Sequence, residues 1–411
     1  MSQSSVIGEK SEYWESCITK TCTVSIIESD REARMQRANV LAFEDNDDED
    51  EFVVRRPRWI RDREDHFHNL DDTDFVMRFR LSKRTVLSVL ETIENQLEFR
   101  TDKNNCVSPI NQLLCALRFY ATGCYQTTAA DLCGFSTSTA HRIVHRVSCA
   151  IASLRPLHVL FPETPSQIRK TQMEFYNKAR FPRVIGAIDC THVKFIKSPG
   201  GGNAEVFRNR KGYFSLNVQA ICNANLEFTD IVARWPGSTH DSHIFNNCYR
   251  KAMYQQRRYG NAVLVGDGGY ACTSYMMTPL DQCNTAAEHL YNESQIRTRN
   301  SIERLFGVWK RRFPVMALGL RVSVKNSFPI IIATVVLHNI ARRAGEDVPP
   351  DDHEIILPAP WDILLAEGNI DENYLINLQC RLDRPRQREN PNHRERRALV
   401  DNYFEKLANR S

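Results

Sequence analysis

Four acidic residues stand where separate elements could bring them into one cleft. They are Asp189 in VIGAIDCTHVKF (184–195), Asp241 in WPGSTHDSHIF, Asp267 at the end of AVLVGD, and Glu303 in NSIERLFGVWKRRF. Carboxylates set close together repel and raise one another's pKa unless a cation neutralises them. Their hard oxygens suit Mg²⁺ or Mn²⁺ better than zinc or copper. Two such ions, about 3.5–4 Å apart, can activate a water and stabilise the leaving oxygen in phosphodiester cleavage. Asp189 sharpens the point, because an ionised carboxylate inside an apolar strand is costly unless something keeps it charged. The four acids together predict a divalent-metal site.

Each acid has a plainer alternative. Asp189 could accept backbone hydrogen bonds at a strand end, and Asp241 could cap a helix. Asp267, before Gly268-Gly269, could be a turn residue. Glu303 could be the solvated partner of Arg299. A rival set, His192, His240, His243 and His338, could be imagined on zinc, but no H-E-x-x-H or comparable pairing supports it.

These side chains need a scaffold. Strands are predicted at VIGAIDCTHVKF, YFSLNVQAICN (213–223), LEFTDIVARW (226–235) and AVLVGD (262–267). Helices are predicted at 241–255, 299–313 and 329–345. Strands in succession, a helix, a strand and then helices suit an α/β fold with a mixed sheet covered by helices. On the 299–313 helix, Ile302, Leu305, Phe306, Trp309 and Phe313 form the apolar stripe. Asn300, Glu303, Gly307 and Lys310 share an adjacent face. A mid-helix glycine costs roughly 1 kcal/mol against alanine, so Gly307 points to the close approach of a backbone or ligand.

Upstream, the pattern is helical. Ser82 caps TVLSVLETIENQL, and Ser108-Pro109 opens a second helix ending near Gly123. A short helix then stops at Gly134. Ser136 caps a longer one with the stripe Ala140, Ile143, Val144, Val147 and Ile151. This is a helix–turn–helix layout, whose second helix keeps Arg142 and Arg146 off its apolar face as a groove-reading helix would. A three-helix bundle with a solvated polar face accounts for the pattern equally well. In FRNRKGYF, Arg208, Arg210 and Lys211 sit beside aromatics as candidate phosphate contacts. Lys310 joins them as a candidate DNA contact.

The chain has 411 residues, 42% of them hydrophobic and 25% charged, which is globular composition. A net charge of +4 argues only weakly for a polyanionic partner. Thirteen cysteines without a C-x-x-C pair read as reduced thiols of the nucleus or cytoplasm. MSQSSVIGEKSEYWES lacks the apolar core of a signal peptide. FPIIIATVVLHNIA (328–341) reads as too short and interrupted to span a bilayer, so no membrane association is expected. The chain divides into an acidic, largely disordered segment (1–70, with EDNDDEDE at 44–51) and a helical, helix–turn–helix-like domain (71–160). A connector (161–182), the sheet-and-helix domain (183–345) and a polar, partly basic tail (346–411) follow.

GAIDCTH, NRKGYFSLNVQA, WPGSTHDSHIF, GDGGY and SIERLFGVWKRRF occur in the order of the motifs of PIF/Harbinger transposases. They resemble most those of the Harbinger transposase-derived nucleases. The resemblance spans roughly residues 75–345, and 35 residues separate Asp267 from Glu303, the DD35E interval of many DDE enzymes. It implies an RNase H-like fold with a helix–turn–helix-like domain before it, and a nuclease using Mg²⁺ or Mn²⁺. Position by position, Asp189, Asp267 and Glu303 resemble the DDE triad. Asp241 is similar to the further acid of the G-S-x-x-D block. It also implies DNA as partner, a separate Myb/SANT-like DNA-binding protein, and the nucleus as location; a homo-oligomer is compatible with it. A catalytically silent, domesticated DNA-binding adaptor on the same scaffold is the competing expectation.

Overall fold

In the computed structural model, residues 63–99, 106–200, 204–347 and 393–409 are described. The acidic run 44–51, the last three residues of SPGGGN and the stretch 348–392 lie outside the described residues. All described residues belong to one unit, Arg63–Ser411.

Helices come first: α1 (His66–Asn69), α2 (Asp72–Phe79), α3 (Lys83–Leu97), α4 (Pro109–Thr122), α5 (Gln126–Cys133) and α6 (Thr137–Ala152). Their ends follow from local chemistry. The Ser82 and Ser136 hydroxyls accept from the N–H of Thr85 and Thr139, satisfying donors the first turn leaves orphaned. Pro109 opens α4, while Gly123 and Gly134 close α4 and α5 in the left-handed region that glycine tolerates best. Every residue of the Ala140–Ile151 stripe is buried, and α6 packs on α4, α5 and a late helix described below.

Residues 165–179, read above as connector, form a helix. After α7 (Arg155–His158), α8 (Pro165–Ala179) starts with a reciprocal capping box between Thr164 and Gln167 and with Pro165 at its first position. It packs against the sheet's central strand.

The sheet has five strands in the order β3-β2-β1-β4-β5. β1 is Val184–Lys194, β2 Ser215–Cys222 and β3 Phe228–Pro236; β4 is Val263–Val265 and β5 Met276–Met277. β1 is antiparallel to β2, as β2 is to β3, while β4 runs parallel to both β1 and β5. The sheet is therefore mixed, an α/β architecture compatible with an RNase H-like fold. β1 is hemmed in on both sides: a Cβ on Gly186 would lie 2.5 Å from Ile221 Cγ2 and 2.9 Å from Leu264 Cδ2.

The expected helix at 241–255 is two pieces, α9 (Asp241–Asn246) and α10 (Tyr249–Gln255), covering one face of the sheet around Ile185, Ile188, Ile221 and Leu264. The other face takes α11 (Ala286–Arg312). α11 begins thirteen residues before the helix expected at 299–313, at a second capping box between Thr285 and Glu288. Its early turns bury Ser294, Gln295 and Thr298, so a hydrophobic period could not reveal them. α12 (Val315–Leu318) and α13 (Val324–Arg343) follow. By length and composition alone α13 could cross a membrane, but it packs on α6, α7, α11 and β3, and most of its apolar residues are buried there. The chain end returns as α14 (Arg394–Leu399), a π-helical turn and α15 (Glu405–Ala408), which dock on α11. All ten described cysteines are free thiols, in line with the reading of reduced cysteines.

Candidate active site

Asp189 lies at the middle of β1, opposite Ala220 of β2. It points to the α11 face, since Arg299 of that helix reaches its Oδ2 at 3.6 Å. Its other oxygen accepts from the Cys190 N–H at 2.7 Å. Asp267 follows β4, the parallel neighbour of β1, and its Oδ1 accepts from the Gly269 N–H at 3.0 Å. Glu303, buried on α11, pairs one turn back along the helix with Arg299. Adjacent parallel strands thus carry two acids, and the helix crossing them carries the third.

The electrostatics agree. Burial pushes the Asp189 carboxyl well above the ordinary aspartate range, the nearby Asp267 charge adds to this, and Arg299 opposes both. Asp267 is likewise raised by burial, with Arg299 again the counterweight. One guanidinium therefore serves both aspartates and Glu303. The alternative reading of Glu303 as a solvated partner of Arg299 does not hold, since both side chains are 8% exposed. The position of Arg299 four residues before Glu303, with Gln295 four earlier still, is a polar helical stripe that could have shown this.

Gln295 anchors the arrangement. Its amide donates to the Gly266 carbonyl at 2.7 Å, fixing α11 to the strand end that leads into Asp267. Gly307 is buried on α11.

Asp241 arrives from the other face of the sheet. It is the first residue of α9, whose N-cap is His240, so it is not the helix cap that the sequence offered as its alternative role. Its Oδ1 accepts from Asn217 Nδ2 at 2.8 Å. Its charge raises the pKa of Asp267, which places the two acids in one field. Beside it the Cys190 thiol, pushed well up by burial, contacts the Tyr270 hydroxyl at 3.4 Å.

The histidines do not converge. His192 meets Ser215 Oγ at 3.1 Å, His240 meets Arg210, His243 packs on Trp235, and His338 bonds the Leu226 carbonyl at 2.8 Å. Among the described residues, no three His, Cys, Asp or Glu side chains lie together as a ready metal cage. Arg299 stands between Glu303 and Asp189 and supplies positive charge there. The donor chemistry itself fits a hard cation. The carboxylates present oxygens only, and Glu303 Oε2 is buried with no hydrogen-bond partner.

The candidate DNA contacts fall into three settings. Lys310 is buried at 5% exposure, its ammonium donating to Thr191 Oγ1 at 2.7 Å and the His192 carbonyl at 3.4 Å. Arg146 is tied to the Gln96 and Glu98 carbonyls and lies over the Phe99 ring, while Arg142 is exposed and bonds Ser138 on its own helix. Arg208 pairs with Glu205, whereas Arg210 and Lys211 are exposed in the connection between β1 and β2.

Residues 188–339 match the family model of DDE superfamily endonucleases. The chain is 30% identical to HARBI1 of Homo sapiens, named as a candidate nuclease, over 289 residues, 69% of this chain and 82% of that protein. HARBI1 of Mus musculus is 30% identical over 328 residues, 79% of this chain and 91% of the relative. This chain belongs to the Harbinger transposase-derived nuclease family. A protein of Arabidopsis thaliana named ALP1-like is 22% identical over 290 residues, 66% of this chain and 71% of that one. No solved structure matches. The matched segment runs from the middle of β1 to α13 and so contains all four acids.

Proposed function

We propose that this Harbinger-family chain is a divalent-metal-dependent DNA endonuclease that hydrolyses phosphodiester bonds by a two-metal route on an RNase H-like fold. The observation that carries the reading is that Arg299 pairs with Glu303 and lies 3.6 Å from Asp189 Oδ2, while its charge also reaches Asp267 at the end of the neighbouring parallel strand. With all three ionised, these acids would outnumber the one buried guanidinium, and the raised pKa values of Asp189 and Asp267 reflect that excess together with their burial. That surplus costs stability unless a further cation is used there.

Asp189, Asp267 and Glu303 are the residues that would hold Mg²⁺ or Mn²⁺, with Asp241 contributing from the opposite face. Bound there, such ions lower the pKa of water and stabilise charge on the leaving oxygen. The chain's own part is positioning. The Cys190 and Gly269 amides fix one oxygen of each aspartate, leaving the second to the cleft. Gln295 locks the helix to the strand end, and Lys310 holds the Thr191 side chain and the backbone of β1 on the same face as Asp189. Preorganised donors of this kind avoid reorganisation when charge develops.

DNA is the polyanion, met by exposed Arg210 and Lys211 beside the cleft. Arg142 on α6 offers a further phosphate contact, with α5 and α6 as a helix–turn–helix-like pair. A Myb/SANT-like partner supplies sequence reading, and the nucleus is where the chain acts. The test is nicking of supercoiled DNA in Mg²⁺ or Mn²⁺. Cleavage that stops in EDTA and in Asp189→Ala, with folding intact, supports the reading; undiminished nicking in EDTA sinks it.

A further inference from the structure

The carboxylate site already contains a cation. The Arg299 guanidinium pairs with Glu303, lies 3.6 Å from Asp189 Oδ2, and acts electrostatically on Asp267 as well. It is not a surface ion pair: Arg299 and Glu303 side chains are each 8% exposed and Asp189 is 17% exposed. Removing one partner from so buried a set leaves uncompensated charge. Yet the same guanidinium takes up the carboxylate charge that a metal ion would use.

Resting on the metal reading above, we propose that Arg299 is the resident counter-cation of this site: it holds the acids together in the metal-free chain and sets metal affinity by competing for their charge. Metal loading then exchanges a guanidinium for an ion, instead of filling an electrostatically vacant cage. Glu303 Oε2, buried and without a hydrogen-bond partner, is the oxygen left available while Arg299 takes Oε1. The arrangement makes the metal-free fold tolerable and keeps affinity below what three bare carboxylates would give. The chain's response to metal concentration is thereby tuned by one side chain.

The test uses the full chain, with Mn²⁺ binding followed by loss of the free-ion electron paramagnetic resonance signal. Melting curves in EDTA and in Mn²⁺ are run in parallel. Arg299→Gln keeps a hydrogen-bonding head without the charge. It is expected to bind Mn²⁺ about tenfold more tightly than wild type, as one fewer competing unit charge allows. It should also melt lower in EDTA and regain most of that loss in saturating Mn²⁺. Arg299→Lys, which keeps the charge, should bind with near wild-type affinity. Equal or weaker binding by Arg299→Gln, with wild type binding normally, overturns the inference alone. No binding by wild type or variant overturns the metal reading and this inference with it. If Arg299→Gln does not fold, the Arg299 side-chain N–H resonance of wild type is followed during Mg²⁺ titration. A shift that saturates with the metal supports exchange, and an unmoved resonance overturns it.

Discussion

Asn217 donates from its side-chain amide to Asp241 Oδ1 and to the Thr239 carbonyl, each at 2.8 Å, and so fastens the start of α9 to β2. Asn217 is itself paired with His192 across the β1–β2 ladder. The fourth acid is thus oriented by the strand next to the one that carries Asp189. Asp241→Asn should change melting by no more than about 1–2 °C, since asparagine is isosteric and most non-core changes are small. Loss of the charge should weaken Mn²⁺ binding and cleavage about tenfold if the free oxygen serves the metal. Unchanged Mn²⁺ affinity and cleavage would remove Asp241 from the site.

Asp189→Asn is expected to abolish nicking and yet stabilise the metal-free fold at neutral pH. The folded-state pKa of Asp189 is raised, so the folded chain holds its proton where the unfolded chain has lost it. Stability from this group is full below the ordinary aspartate pKa. It is lost as pH rises through the raised value. In EDTA at pH 7 the variant should melt about 2–4 °C higher for each kcal/mol relieved, with the gap closing by pH 4. A lower melting point at pH 7 would show that Asp189 gains more from Arg299 than it loses to burial and Asp267.

Much of this was legible beforehand. The capping serines, the glycine stops and the stripe of α6 follow local rules that tertiary packing left intact. Four strands were visible because they carry buried apolar runs, β2 and β4 along their whole length and β1 and β3 in their first halves. β5 was not, being the two residues Met276 and Met277 paired to β4 in a loop-like stretch. The first half of α11 escaped because, apart from Ala287 and Tyr291, the residues it buries are polar. Hydropathy sees Ser294, Gln295, Thr298 and Arg299 as a solvated surface, and only the Thr285–Glu288 capping box marked the true start. For the same reason Arg299 was legible as a partner of Glu303, but its burial beside Asp189 was not. Residue type reveals which groups do chemistry, while burial decides which of them are forced together.

Lys310 gives a pH signature of its own. Burial lowers its ammonium from the ordinary 10.5 to about 8, with the Lys211 charge adding to the effect. For a lysine lowered on folding, the unfolded chain binds the extra proton between those two values, so stability rises with pH through that window. Lys310→Met should abolish that rise, read as the difference between wild-type and variant urea midpoints from pH 7.5 to 10. Parallel midpoints would place the lysine in a better solvated setting than its contact with Thr191 implies.

The chain end supplies a test of how the site is braced. Phe404 is fully buried, 5.7 Å from the Phe181 ring and 5.5 Å from the Tyr291 ring, so it closes the core over the early turns of α11. Nearby Arg396 donates to the Pro279 carbonyl at 2.9 Å, and Arg397 pairs with Glu288 in the α11 capping box. Phe404→Ala should cost about 3–5 kcal/mol, the range for emptying a buried aromatic site. The loss should be concentrated at the start of α11, where hydrogen exchange at Ala287–Tyr291 would rise before exchange in β1. Because Gln295 lies one turn further on and anchors the strand end before Asp267, cleavage should fall with it at temperatures well below melting. A Phe404→Ala chain with unchanged melting and unchanged exchange in α11 would mean that the returning helix rests on the fold without bracing it.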